Sequence, residues 1–97
     1  MTAKGGSTYI LTNKNNTTLY TGVSSELEDR VYKHKVKFYP NCFTARYSLD
    51  KLVYYEHHDS IEEAIEREKQ IKGGPRQNKI DLINKFNPEW RDLYDEL

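Results

Sequence analysis

Ninety-seven residues make one small domain, because a chain of this length hides only roughly 60–65% of its unfolded surface on folding and builds one modest core. Fifteen Lys and Arg balance fifteen Asp and Glu, so no global field draws the protein to nucleic acid or to a membrane. A single cysteine, Cys42, excludes an internal disulfide framework and a thiolate zinc site, and it gives no ground for a disulfide-linked partner. No apolar run approaches the ~18 residues of a membrane span, and Met1–Gly6 is too polar for a secretory signal. The expectation is a soluble, cytoplasmic protein. Eight of the twelve aromatic residues are tyrosines, which pack by the ring and hydrogen-bond by the tip.

Residues 1–7 read as a flexible leader, and 8–97 as a single domain with a C-terminal tail from about residue 87. The β-prone run Tyr9–Thr12 is followed by Asn13-Lys14-Asn15-Asn16, which suits a turn. Thr17–Val23 then resumes β character, so the two runs form a hairpin. Ser25-Glu26-Leu27-Glu28 fits a capping box and predicts a helix from about Glu26 to Lys35, burying Leu27 and Val31. Phe38–Leu49 has no period and reads as an ordered loop with a short turn. Lys51–His57 is the most apolar run and is expected as the central strand. A second capping box, Ser60 with Glu63, opens a helix to Lys72, stopped by Gly73, Gly74 and Pro75. Pro75 opens a further helix, Arg76–Lys85, which buries Ile80, Ile83 and Phe86 before Asn87-Pro88 ends it. Trp90 is placed to pin the tail. The fold class is α+β: a small three-stranded, mainly antiparallel sheet flanked by helices, in the order β-β-α-β-α-α.

Three placements carry chemistry. Ile61, Ala64, Ile65, Glu68 and Ile71 form one helical stripe, and a carboxylate on a stripe that faces the core needs a cation, a donor or a metal. An ion pair with Lys72, four residues on, is its ordinary account. Arg30 and His34 stack on one face of the first helix at the margin of the core, where a guanidinium can clamp a phosphate and an imidazole can exchange a proton. Tyr9 and Tyr20 lie in adjacent strands and can meet side by side, as an ordinary packed pair does. By contrast, His57 and His58 are neighbours on a strand, point to opposite faces and cannot share one ion.

Taken together, Tyr9, Tyr20-Thr21-Gly22, Arg30, His34 and the helical Glu68 resemble the GIY-YIG nuclease domain. In that family a first motif ends in Tyr, and Tyr-x-Gly follows about ten residues later. An Arg and then a Tyr or His come from the next helix, and a later helix supplies one metal-binding Glu. The resemblance covers roughly residues 8–86, and the tail is similar to that of short single-domain bacterial members. Ser7 replaces the first Gly, and Val23 stands where a Lys often follows the second motif.

The resemblance implies a divalent-metal-dependent endonuclease hydrolysing DNA phosphodiester bonds, with DNA repair or processing as its setting and branched or damaged DNA as substrate. It implies one weakly bound Mg²⁺ or Mn²⁺ on Glu68, Arg30 on the phosphate, Tyr9 or Tyr20 on the water, and His34 positioning a tyrosine or assisting proton transfer. Gly22 would admit backbone to the phosphate. Lys33, Lys35, Lys37 and Arg46 lie in a basic stretch, interleaved with Tyr39, Phe43 and Tyr47, which suits a nucleic-acid contact. Val23 in place of Lys keeps a second reading open: a non-catalytic nucleic-acid-binding module on the same scaffold.

Overall fold

The computed structural model describes residues 5–97. Strands β1 (Gly6–Thr12) and β2 (Leu19–Ser24) form the hairpin, and helix α1 (Leu27–Lys35) and a single turn of helix, α2 (Phe43–Arg46), follow. Next come β3 (Lys51–His58), α3 (Ile61–Gly73), α4 (Arg76–Phe86) and a 3₁₀ turn, Tyr94–Glu96. The sheet is antiparallel with the order β2-β1-β3.

The central strand is therefore β1, not the apolar β3 expected from its composition. All seven residues of β1 are buried, although Ser7, Thr8 and Thr12 carry aliphatic hydroxyls. Each hydroxyl has a partner: Thr8 Oγ1 donates to Ala64 O at 2.8 Å, Thr12 Oγ1 to Thr18 O at 2.8 Å, and Ser7 Oγ meets His57 Nδ1 at 2.5 Å. A paired hydroxyl is cheap to bury, so strand apolarity does not decide strand order. Of the expected leader, residues 1–4 lie outside the described residues, and Gly6 and Ser7 open β1. Gly6 lets α3 approach: a Cβ there would come 2.7 Å from Ile61 Cδ1.

Alternation along β1 splits the core. Tyr9 and Leu11 face α1 with Leu27, Val31, Leu49, Leu52 and Leu93. Thr8 and Ile10 face α3 and α4, where Ile10 meets Ile71 and Ile83. The register slips between Ile10 and Leu11, so Val53 is an extra residue in β3. Asn87, buried at the end of α4, donates to the Val53 carbonyl at 3.2 Å. Leu93 N donates to Leu52 O at 2.8 Å, and Asp92 Oδ1 accepts from Leu52 N at 3.2 Å. The tail thus covers the outer edge of β3, which would otherwise be an open template for another strand. Trp90 pins it as expected, packing on the α4 side and donating Nε1–H to Asn84 Oδ1 at 2.6 Å.

Two helix details differ from the sequence expectation. Ser60 caps α3 as expected, accepting from Glu63 N at 3.2 Å, but Ser25 does not cap α1. Because β2 runs on to Ser24, it is the Ser24 hydroxyl that accepts from Glu26 N, at 2.9 Å. In α4, Ile83 is buried and Ile80 is half-buried, while Phe86 is exposed and stacks edge-on against Tyr54 and Tyr55. His57 and His58 do take different partners, Ser7 and Glu56.

Asn87 also donates to Arg91 O at 2.8 Å and accepts from Arg91 N at 3.2 Å. Asn87→Ala strands the Val53 carbonyl and is expected to cost about 1–3 kcal/mol, read as a lower urea midpoint at unchanged m-value.

Candidate active site

Four elements bring the sequence-predicted residues together. Leu11 pairs with Tyr20 and Tyr9 with Gly22 across the hairpin, so the two phenols project to the α1 face. Their ring centroids are 6.4 Å apart. One and two turns into α1, Arg30 lies exposed at the rim and His34 stands over both rings, at 6.2 Å from Tyr9 and 5.9 Å from Tyr20. The Tyr9 hydroxyl lies 3.3 Å from His34 Nε2, and His34 Nδ1 lies 2.9 Å from Thr44 Oγ1.

Gly22 is what allows this packing. A Cβ there would sit 2.5 Å from Tyr9 Cζ, 2.6 Å from its hydroxyl and 2.9 Å from Tyr20 Cε2. The bare backbone is therefore filled by the Tyr9 ring, rather than left open to a phosphate.

Glu68 reaches the site from the other face of the sheet. α3 packs against β1 and β2, and β2 is an edge strand, so side chains from both faces meet there. The Glu68 side chain is 12% exposed and pairs with Lys72 Nζ at 3.0 Å. That ammonium also lies 5.8 Å from the centroid of Tyr20. The expected ion pair is present, and it lies inside the site.

The electrostatics distinguish the two phenols. Burial, then the neighbouring Tyr20, push the Tyr9 hydroxyl well above the ordinary phenol value; Arg30 opposes this and Glu68 adds to it. Tyr9, 1% exposed, is thus held as a neutral phenol, while Tyr20 is half-buried and open to solvent. Burial, and secondarily Arg30, lower the His34 imidazole below its usual value, so it is neutral at pH 7.

Glu68 is the carboxylate available to a cation beside the tyrosines. Among the described residues, no three His, Cys, Asp or Glu side chains cluster as metal ligands. One carboxylate beside phenol oxygens suits a hard ion that keeps most of its water, such as Mg²⁺ or Mn²⁺, and does not suit zinc. The recess of about 350 Å³ between α3 and α4, lined by Arg67, Ile71, Lys79 and Leu82, holds none of these groups.

The expected nucleic-acid contacts divide. Lys33 pairs with Asp29 at 3.0 Å and lies over Phe38, while Lys37 and Arg46 are exposed. Tyr39, Phe43 and Tyr47 are each about half exposed (53%, 49% and 51%), so they do not plug the core. Lys35 is turned to the tail instead, bonded to the Asp92 carboxylate and to Asp50 O and lying over Tyr94. Lys72 and Thr44 are site neighbours that sequence reasoning did not assign to the site. The i, i+4 spacing from Glu68 pointed to Lys72, whereas nothing in the aperiodic loop pointed to Thr44.

Residues 5–81 match the family described as GIY-YIG catalytic domain. A UPF0213 protein of Syntrophus aciditrophicus is 40% identical over 72 residues, covering 74% of this chain and 82% of its own length. A UPF0213 protein of Staphylococcus saprophyticus is 39% identical over 70 residues, covering 68% and 79% respectively. No solved structure matches the chain.

Gly22→Ala is expected to displace the Tyr9 ring and cost about 1–3 kcal/mol in thermal or urea unfolding. Because the folded state holds His34 below its ordinary value, the unfolded chain binds the extra proton first. This contribution therefore makes stability fall as pH drops through about 6.5. An NMR titration should place the His34 midpoint below that value, and His34→Gln should flatten this part of the stability profile.

Proposed function

Because the chain belongs to the GIY-YIG family, a nuclease domain family whose members generally act on nucleic acid with a divalent metal, we propose that it is an endonuclease that hydrolyses DNA phosphodiester bonds with Mg²⁺ or Mn²⁺. The observation that carries this reading is the meeting of two phenols, a guanidinium, an imidazole and one carboxylate, drawn from β1, β2, α1 and α3. Arg30 and Glu68 both act on Tyr9 and Lys72 pairs with Glu68, so two cations accompany one carboxylate around the tyrosines, a local positive surplus suited to a phosphate although the chain as a whole is neutral.

Hydrolysis requires water to attack phosphorus while the bond to the 3′ oxygen breaks, and the charge gathering on the phosphoryl oxygens must be neutralised. Arg30, exposed at the rim, clamps that phosphate with its planar fork. Tyr20, the phenol open to solvent, orients the attacking water through its hydroxyl. Tyr9 stays protonated and, with His34, walls the site and fixes the position of Tyr20. Glu68 would hold the divalent ion, which would supply Lewis-acid stabilisation of the developing charge when bound. Lys72, beside both Glu68 and Tyr20, provides the cation that Val23 does not. The half-exposed Tyr39, Phe43 and Tyr47 with Lys37 and Arg46 offer stacking and phosphate contacts, which favours branched or damaged DNA as met in repair or processing.

The test is cleavage of a panel of duplex, nicked, branched and single-stranded DNA with Mg²⁺ and with Mn²⁺. Metal-dependent nicking is expected, with Glu68→Ala and Arg30→Ala each lowering the rate at least about 100-fold. Salt-sensitive binding that survives Glu68→Ala, with no cleavage of any substrate, would instead establish the non-catalytic module.

A further inference from the structure

Thr44 is buried at 5% exposure on α2, a single turn of helix in a stretch with no sequence period. Its place is well anchored: Leu49 N donates to Thr44 O at 2.8 Å, and Leu49 is fully buried in the α1-side core. Its hydroxyl has two neighbours, His34 Nδ1 at 2.9 Å and Cys42 Sγ at 3.1 Å.

A neutral imidazole carries one N–H and one bare nitrogen, and the partner of each nitrogen decides which is which. Tyr9 keeps its proton, and the Tyr9 hydroxyl lies against His34 Nε2. Nε2 can accept that proton only if Nδ1 bears the imidazole hydrogen, and Nδ1–H then needs an acceptor. Thr44 Oγ1 is in place to accept it, and the hydroxyl can pass its own hydrogen to Cys42 Sγ. We propose that Thr44 is a positioning residue that holds His34 in its Nδ1–H form, so that Nε2 accepts from Tyr9 and locks the buried phenol beneath the site. Without Thr44, the Nε2–H form turns a donor against the Tyr9 hydroxyl and frees the ring pair to shift. The effect on rate rests on the nuclease reading above; the state of the ring does not.

The experiment reads the ring ¹⁵N shifts of His34 by NMR at a pH where it is neutral, in the full chain, for wild type, Thr44→Val and Thr44→Ser. The wild type and Thr44→Ser should show the Nδ1–H form, and folded Thr44→Val should move toward Nε2–H. On a cleavable DNA, Thr44→Val should lower kcat roughly ten-fold at little change in KM, and Thr44→Ser should recover most of it. A wild-type His34 in the Nε2–H form overturns the proposal even if Thr44→Val does not fold. So does a folded Thr44→Val whose ring form is unchanged, or whose ring form changes at full kcat. If no DNA is cut, the nuclease reading fails while the ring measurement still decides the role of Thr44.

Discussion

Burying a phenol in the middle strand of a sheet leaves its hydroxyl in need of a partner, and the local architecture answers that need at Tyr9. Gly22 leaves the volume that the ring occupies, α1 brings His34 to the hydroxyl, and α2 brings Thr44 to the far side of the imidazole. Each piece comes from a different part of the chain. A polar chain of this kind is unforgiving, since losing one member leaves the next unpaired in a dry place. The same enclosure keeps Tyr9 protonated and His34 neutral, and it makes the half-buried Tyr20 the phenol that faces water.

Charge is arranged locally rather than globally. The molecule is neutral, yet Arg30 acts on Tyr9 and His34 while Lys72 pairs with Glu68 beside Tyr20, at the β2 edge where both faces of the sheet are within reach. α1 supplies a guanidinium to one side of that edge and α3 a carboxylate and an ammonium to the other. A site on an edge strand lies open along the surface, where a long polymer such as a nucleic acid can lie but not enter a cavity.

The opposite edge is treated differently. The outer side of β3 is covered by the tail, with Asn87 taking up the carbonyl released by the Val53 bulge and Asp92 and Leu93 pairing with Leu52. Lys35, a basic residue in the middle of a basic stretch, is drawn into this cover through Asp92. One sheet edge is thus sealed by the tail, and the other carries the tyrosine, His34 and Glu68 cluster.

What the sequence by itself determined was most of what depends on near neighbours. The hairpin, α3 with its Ser60 cap, the Leu27–Val31 stripe and the anomalous position of Glu68 all follow from spacings within a few turns. The motif spacing also singled out Tyr9, Tyr20, Arg30, His34 and Glu68, and the structure brings them to one place. Only the tertiary structure decided that β1 is central, that Ser24 rather than Ser25 meets the start of α1, that Lys35 belongs to the tail, and that Thr44 lies behind His34. The reason is physical: a helix face repeats within a few residues, but a cap is read from sequence only where no strand runs into it, as β2 does at Ser24. Strand order and the partner of a buried hydroxyl are settled by what happens to lie across a packed interface, and that distance in sequence leaves no period to read.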